Sequence, residues 1–174
     1  NKIIVPNNKN IIPAAKIAVE RNSADCSYIE TTSMSEGYYF IENRYDRLEI
    51  LNEEIKRNIT VEITRAVKNS KSENIEIKKD DFIFLINGKI KISHNLLKKG
   101  FEELRNFIKE YKISNTVIFK GNDKFEEIED FIKEYSPFKR VEIYETKQEN
   151  YFCYLYFQIM PENMPETIIV TDST

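Results

Sequence analysis

Two groups of polar side chains near the beginning of the chain could bind a ligand. Each group follows a short apolar run: the first comes after residues 2–5 and the second after residues 26–30. The candidates are three asparagines and three hydroxyl residues: Asn7, Asn8, Asn10, Thr31, Thr32 and Ser33. Such groups, together with free N–H groups at a helix start, can hold an anion at the end of parallel strands. The same residue types also cap helices and shape turns without any ligand. Both interpretations are open from the sequence.

Side chains for covalent or metal chemistry are scarce. The chain has a single histidine, His94, and two cysteines, Cys26 and Cys153, which are far apart. A nucleophilic serine near Thr31 needs a base, and the only histidine belongs to a different part of the chain. The cysteines show no CxxC spacing, so we expect reduced, buried thiols. The sequence therefore predicts no catalytic residue and no metal site.

Composition excludes several classes of partner. The chain has 174 residues, 41% of them hydrophobic, and its 26 basic and 29 acidic residues give a net charge of -3. No basic stripe suits nucleic acid or an anionic membrane surface. No apolar run approaches the roughly 20 residues of a membrane span, and no signal segment is visible. We expect a cytoplasmic protein, and the missing initiator methionine leads us to expect that the chain begins within a longer one.

The first 58 residues predict a small Rossmann-like β-α-β lobe. A buried strand at residues 2–5 ends at Pro6, and an asparagine-capped helix follows. A second strand at residues 26–30 leads into a Ser/Thr-rich loop through Gly37. Residues 46–57 then have helical period. This lobe is expected to be truncated upstream.

Residues 59–159 predict a two-layer α/β sandwich in which a mixed sheet carries two helices on one face. The dipeptide Asn87-Gly88 lies between two strand-like runs and favours the type I′ turn of a hairpin. Ser93 is expected to cap the first amphipathic helix. Residues 116–145 predict a β-α-β unit with parallel strands joined right-handedly.

The aromatic run at residues 151–157 predicts a further strand. Its Tyr154 and Tyr156 could lie on a sheet face that no helix covers, where aromatic side chains commonly anchor protein partners. A core role for both is equally open. Prolines then interrupt the pattern, so residues 160–174 are interpreted as a linker and the first strand of another domain. The class is α/β (α+β), divided at 1–58, 59–159 and 160–174.

Three segments carry a resemblance to a known family. They are Ile3-Ile-Val-Pro-Asn-Asn-Lys-Asn-Ile11, then Glu73-Asn-Ile-Glu-Ile-Lys-Lys-Asp-Asp-Phe82 with its Asn-Gly hairpin, and the closing aromatic strand. Together they resemble the C-terminal region of the ATP-binding subunit of bacterial fatty acid kinase, a dihydroxyacetone kinase-like family. The tail Ile168-Ile-Val-Thr-Asp-Ser-Thr174 is similar to the opening strand of DegV-type fatty-acid-binding proteins. If both resemblances hold, the parent protein is a fusion of the two.

Two departures from the family pattern concern candidate sites. Glu30-Thr-Thr-Ser33 replaces the usual Pro-Thr-Lys-Ser stretch, so a basic residue for phosphate is missing. Thr146-Lys-Gln-Glu149 keeps only Gln148 of the Gly-Gly-Gln-Pro loop that precedes the last strand. Gln148 therefore joins Tyr154 and Tyr156 as a candidate partner contact.

The resemblance implies a non-catalytic docking or regulatory region. It would recognise a DegV-type protein or fused domain, so that an upstream domain phosphorylates the bound fatty acid. ATP and Mg²⁺ are implied for that upstream domain and no cofactor for this chain; a homodimer stays open. The alternative is a small anionic ligand-binding or phosphatase-like domain acting at the loops 6–10 and 31–35.

Overall fold

The computed structural model of the protein describes residues 2–22, 25–123, 125–134 and 140–161. Five helices occur in these ranges: α1 (Ile12–Arg21), α2 (Met34–Glu42), α3 (Leu48–Arg57), α4 (Leu97–Ile108) and α5 (Glu126–Glu134). The strands are β1 (Lys2–Ile4), β2 (Cys26–Tyr28), β3 (Ile59–Arg65), β4 (Ser70–Ser72), β5 (Ile75–Ile77), β6 (Phe82–Ile86), β7 (Lys89–His94), β8 (Ile113–Lys120), β9 (Val141–Glu145) and β10 (Cys153–Ile159). No helix in the described ranges is long and apolar enough to cross a membrane.

A mixed six-stranded sheet forms the centre of the molecule, in the order β7-β6-β3-β10-β8-β9. β8 and β9 pair in parallel, as the β-α-β pattern predicted, and the other neighbours pair antiparallel. β3 and β10 occupy central positions because their apolar residues can be buried. The α/β class and the mixed sheet are confirmed.

The Asn-Gly hairpin is also confirmed. β6 and β7 pair from Ile86 opposite Lys89 to Phe82 opposite His94. Asn87 and Gly88 both have positive φ, at 48° and 73°, as a type I′ turn requires.

Helices α4 and α5 cover one face of the sheet. Their buried residues, including Phe101 and Phe131, pack on the inward side chains of β3, β6 and β10. The rings of Phe101 and Phe131 stack with centroids 4.6 Å apart. Gly100 allows α4 to lie close to β6, because a Cβ at that position would lie 2.2 Å from Cε2 of Phe84.

The opposite face is covered in part by α2 and α3, so the molecule has a third layer beyond the two expected. Tyr39 of α2 and Leu51 of α3 pack with Tyr154 and Tyr156 of β10. The sequence pattern did not predict α2, because its serines and Gly37 resemble a loop. Its N-cap Ser33 and Glu36 at the third position explain why a helix forms there.

The first lobe contains a two-stranded parallel sheet, in which β1 and β2 pair from Lys2 opposite Cys26 to Ile4 opposite Tyr28. β1 is largely exposed rather than buried as predicted, since among the described residues only β2 pairs with it. The division at residue 58 stays a prediction, although α2 and α3 pack on the sheet of residues 59–159.

Two further details differ from expectation or lie beyond the described ranges. Ser93 does not cap α4, because β7 continues through His94 and the Ser93 hydroxyl donates to Asp81 at 3.1 Å. Leu96 holds the N-cap position of α4 without a side-chain hydrogen bond. The linker and strand predicted at 160–174 lie outside the described residues, except for residues 160 and 161.

Candidate functional site: a polar cleft beside the sheet

A cleft of about 570 Å³ lies between the first lobe and the six-stranded sheet. It opens on the sheet face opposite α4 and α5, beside the part that α2 and α3 cover. Its walls come from the loop after β1, the start of α2, the hairpin turn and the loop before β10. Most of its lining residues carry amide, hydroxyl or charged groups: Asn7, Asn8, Lys9, Asn10, Thr32, Ser33, Thr60, Glu62, Asn87, Lys89 and Gln148. Met34, Leu85, Gly88, Tyr151 and Tyr154 complete it.

The asparagine loop forms one wall. Asn8 caps the short 3-10 turn that precedes α1, and its Oδ1 accepts the backbone N–H of Asn10 at 2.9 Å. Asn7 and Asn10 are exposed beside it. The loop is joined to the segment between β2 and α2 by Thr31, whose buried hydroxyl donates to the carbonyl of Pro6. Thr31 therefore holds the wall in place from behind and does not line the cleft.

The N-terminus of α2 forms a second wall, where side chains of the protein itself accept several of the donor groups. Oγ of Ser33 accepts the N–H of Glu36 at 3.2 Å. The Glu36 carboxylate accepts both the N–H and the hydroxyl of Thr32. An acidic side chain of the protein itself thus occupies the position where an anion would bind to the helix start.

The floor of the cleft is a row of residues that crosses three strands. Glu62 of β3 lies opposite Leu85 of β6 and Tyr154 of β10. Strand alternation sends Ile59, Val61 and Ile63 into the core below α4 and leaves Glu62 on the opposite face.

The carboxylate of Glu62 is in an unfavourable electrostatic environment. Burial raises the pKa of Glu62, and the nearby Glu36 carboxylate raises it further, while Lys9 opposes the rise. Burial, followed by the charge of Glu62, also raises the pKa values of Tyr151 and Tyr154. Within the described residues Glu62 has no hydrogen-bond or ion-pair partner, so its charge is available to a ligand.

The rim opposite the asparagines is the loop before β10. Gln148 and Tyr151 reach the cleft because this loop lies directly on Gly121, whose N–H donates to the Phe152 carbonyl at 2.8 Å. A Cβ at Gly121 would lie 2.2 Å from the Tyr151 carbonyl oxygen. The ring of Tyr151 rests against that of Tyr154, with centroids 4.9 Å apart.

The cleft brings together most of the residues singled out in the sequence. Asn7, Asn8, Asn10, Thr32, Ser33, Gln148 and Tyr154 all line it. Tyr154 is 8% exposed and contributes to the floor, whereas Tyr156 is 0% exposed beneath α2 and α3. Tyr156 therefore has the core role, one of the two that the sequence left open, because these helices cover its side of the sheet.

Sequence reasoning did not single out several residues that line the cleft, among them Lys9, Glu62 and Tyr151. Only Glu62 left a signal in the sequence. It alternates with Thr60 between the apolar residues of the run 59–63, so the strand face that carries Glu62 is polar and not simply core. The others depend on how loops meet. No group of three or more potential metal ligands gathers among the residues described. The amides and hydroxyls of the cleft, with Lys9, Lys89 and Glu62, offer hydrogen bonds and charges of both signs to a ligand.

Comparison with known proteins places the chain among bacterial relatives. It matches the FakA-like C-terminal family of fatty acid kinase over residues 1–158. An uncharacterized protein of Staphylococcus saprophyticus is 38% identical over 99 residues, which is 53% of this chain and 18% of that protein. An uncharacterized protein of Staphylococcus aureus is 32% identical over 110 residues, which is 60% of this chain and 20% of that protein. The chain thus spans about a fifth of the length of these relatives.

Solved structures with a similar fold include proteins that were solved with a fatty acid bound. A DegV family protein of Eubacterium eligens, loaded with heptadecanoic acid, has a TM-score of 0.57 and 12% identity, over 90% of this chain and 72% of that one. The fatty acid kinase (Fak) B3 protein of Streptococcus pneumoniae, loaded with linoleic acid, has a TM-score of 0.58 and 12% identity. The match covers 91% of this chain and 71% of that one. At such identity the likeness establishes the fold alone. The match over residues 1–158 shows that the chain belongs to the FakA-like C-terminal family of fatty acid kinase.

Proposed function

We propose that this chain is the docking region of a fatty acid kinase-like protein and recognises a fatty-acid-loaded DegV-type protein or domain. Phosphorylation of the fatty acid would be carried out elsewhere in the parent protein, by an ATP-binding domain that uses Mg²⁺. The chain itself would supply a recognition surface.

The observation that carries the proposal is the way in which the sheet faces are filled. The fold is shared with proteins that were solved with a fatty acid bound. In this chain α4 and α5 close one face with aromatic and aliphatic side chains. Tyr39, Phe40, Leu51 and Ile55 close part of the other. The space that stays open is lined mostly by amides, hydroxyls and charges, which suit a protein surface better than an acyl chain.

Family membership points in the same direction. A DegV-like fold within a kinase would be expected to act on the fatty acid through a carrier rather than hold it. The staphylococcal relatives extend far beyond the region that this chain covers, so there is room in such proteins for a separate catalytic domain.

The rival function, binding of a small anion at the loops 6–10 and 31–35, has one observation in its favour. Both loops meet at the same cleft. Against it, Glu36 already occupies the start of α2, and Glu62 adds a second carboxylate on the floor. These charges would repel phosphate. An anion would therefore need both lysines of the cleft, Lys9 and Lys89.

A calorimetric titration tests the proposal. The chain is titrated with a DegV-type fatty-acid-binding protein from the same organism, once loaded with fatty acid and once stripped of it. Parallel titrations use ATP and an acyl phosphate. Saturable heat with the loaded protein, and none with the small molecules, supports docking. Saturable heat from the acyl phosphate with none from the protein would overturn it in favour of the anion site.

A further inference from the structure

We propose that the cleft receives an arginine side chain of the docked partner and that Glu62 is the carboxylate that binds it. This inference rests on the docking function proposed above and adds the chemistry by which the partner is recognised. It assigns a specific role to a residue that the sequence did not single out.

The first argument is that Glu62 is a charged group without a counter-charge. It lies on the cleft floor between Leu85 and Tyr154, where both strand neighbours restrict water. Lys9 is close enough to affect it electrostatically but forms no ion pair with it within the described chain. A half-buried carboxylate without an ion-pair partner gains most from a cation that also donates hydrogen bonds.

The second argument concerns the neutral groups around the carboxylate. Tyr151 and Tyr154 present adjoining rings at an interplanar angle of 36°. A guanidinium group stacks on aromatic rings and binds a carboxylate through two parallel N–H groups, which an ammonium group cannot do. Side-chain oxygens such as those of Gln148 and Thr60 line the same space and could accept its other N–H groups.

The third argument is the sign of the local charge. Glu36 lies near enough to Glu62 to raise its pKa, so two carboxylates act on this part of the cleft. At the start of α2 the Glu36 carboxylate and Ser33 Oγ already accept hydrogen bonds from Thr32 and from the Glu36 N–H. Lys9 and Lys89 also line the cleft, but within the described residues neither forms an ion pair with Glu62, so an arginine would supply the paired cation that Glu62 lacks. Lys9, at the rim, would compete with it weakly from an exposed position.

The experiment compares Glu62→Gln with the matched control Glu76→Gln. Glu76 is an exposed strand glutamate on β5, away from the cleft. Each variant and the wild type are titrated with the fatty-acid-loaded DegV-type protein. Glu62→Gln should weaken binding at least about tenfold and reduce its salt dependence, while Glu76→Gln should match the wild type. Lys9→Gln should strengthen binding, because it removes the competing cation.

A second probe separates this inference from docking itself. N-acetyl-arginine amide is titrated into the chain, and the side-chain carboxyl resonance of Glu62 is followed by NMR, with inorganic phosphate as the rival ligand. If the partner binds wild type and Glu62→Gln equally, the arginine inference is overturned and docking stands. If the partner does not bind at all, docking fails. A saturable response to the arginine amide then still supports the cleft chemistry, and its absence, or saturation by phosphate, overturns it.

Discussion

The side-chain amide of Asn58 donates a hydrogen bond to the hydroxyl of Tyr156 at 3.0 Å, and its oxygen accepts the N–H of Ile159 at 2.9 Å. Asn58 and Tyr156 are both buried, at 4% and 0% exposure. The Tyr156 ring also contacts Tyr39, with centroids 5.5 Å apart. This pair joins the end of α3 to β10 and makes Tyr156 part of the structure's core.

Replacing Tyr156 by phenylalanine should therefore change stability and leave docking unaffected. Tyr156→Phe leaves the buried amide of Asn58 without an acceptor, so we expect the free energy of unfolding to fall by about 1–2 kcal/mol. Urea unfolding measures the loss, and calorimetry with the DegV-type protein measures docking. Tyr45→Phe serves as the control, because Tyr45 is 86% exposed. A weakened affinity at unchanged stability would instead make Tyr156 a partner contact.

Two helix glycines should respond in opposite directions to the same substitution. Gly100→Ala would place its Cβ 2.2 Å from the buried ring of Phe84, so we expect a loss of about 1–3 kcal/mol. At Gly37 the nearest atom to an added Cβ is Cγ1 of Val5, at 3.5 Å. Gly37→Ala should therefore stabilise α2 by about 0.5–1 kcal/mol. Thermal unfolding of the two variants decides the signs, and two changes of equal sign would contradict the packing described for one of these helices.

The hairpin turn at the cleft rim depends on both the conformation and the side chain of Asn87. Its Oδ1 accepts the N–H of Thr60 at 2.9 Å, and its φ is 48°. Asn87→Gly keeps the conformation but loses the hydrogen bond, which should lower the free energy of unfolding by about 1 kcal/mol. Asn87→Ala loses the hydrogen bond and also the tolerance of positive φ, so we expect the free energy of unfolding to fall by about 1 kcal/mol more. Denaturant unfolding compares them; an equal loss would mean that the left-handed backbone carries no strain for alanine.

Glu62 should make stability depend on pH in a definite direction. Burial raises its pKa in the folded state, and Glu36 adds to the rise, so folding favours the protonated form. The contribution of Glu62 to the free energy of unfolding is therefore present at acid pH. It is lost as the pH rises from the pKa of Glu62 in the unfolded chain through its higher pKa in the folded protein. Glu62→Gln should remove that loss.

The measurement compares unfolding of wild type and Glu62→Gln between about pH 4 and pH 8. The groups that act on Glu62 from the surrounding elements are Glu36, Lys9, Tyr151 and Tyr154. The variant should gain stability relative to the wild type toward the alkaline end. A difference that stays constant across the range would show that the carboxylate is solvated in the folded protein.

Local patterns in the sequence predicted the elements whose causes are local. The Asn87-Gly88 turn needs positive φ at two consecutive residues, and these two residue types tolerate it best. The same is true of the amphipathic stripes of α4 and α5 and of the parallel pairing of β8 with β9. In each case a hydrophobic period or a turn residue acts over a few neighbouring positions.

The sequence also indicated most of the cleft, since asparagines and hydroxyl residues after short strands pointed to Asn7, Asn8, Thr32 and Ser33. Other features were decided only by tertiary packing. Whether Tyr154 and Tyr156 face solvent depends on α2 and α3, which come from over 90 residues earlier in the chain. The hydrophobic cluster that contains α2 and α3 includes residues of β8 and β10 and none of β3, which leaves Glu62 to line the cleft. Such coverage depends on long-range contacts between elements, and alternation along a single strand contains no information about it.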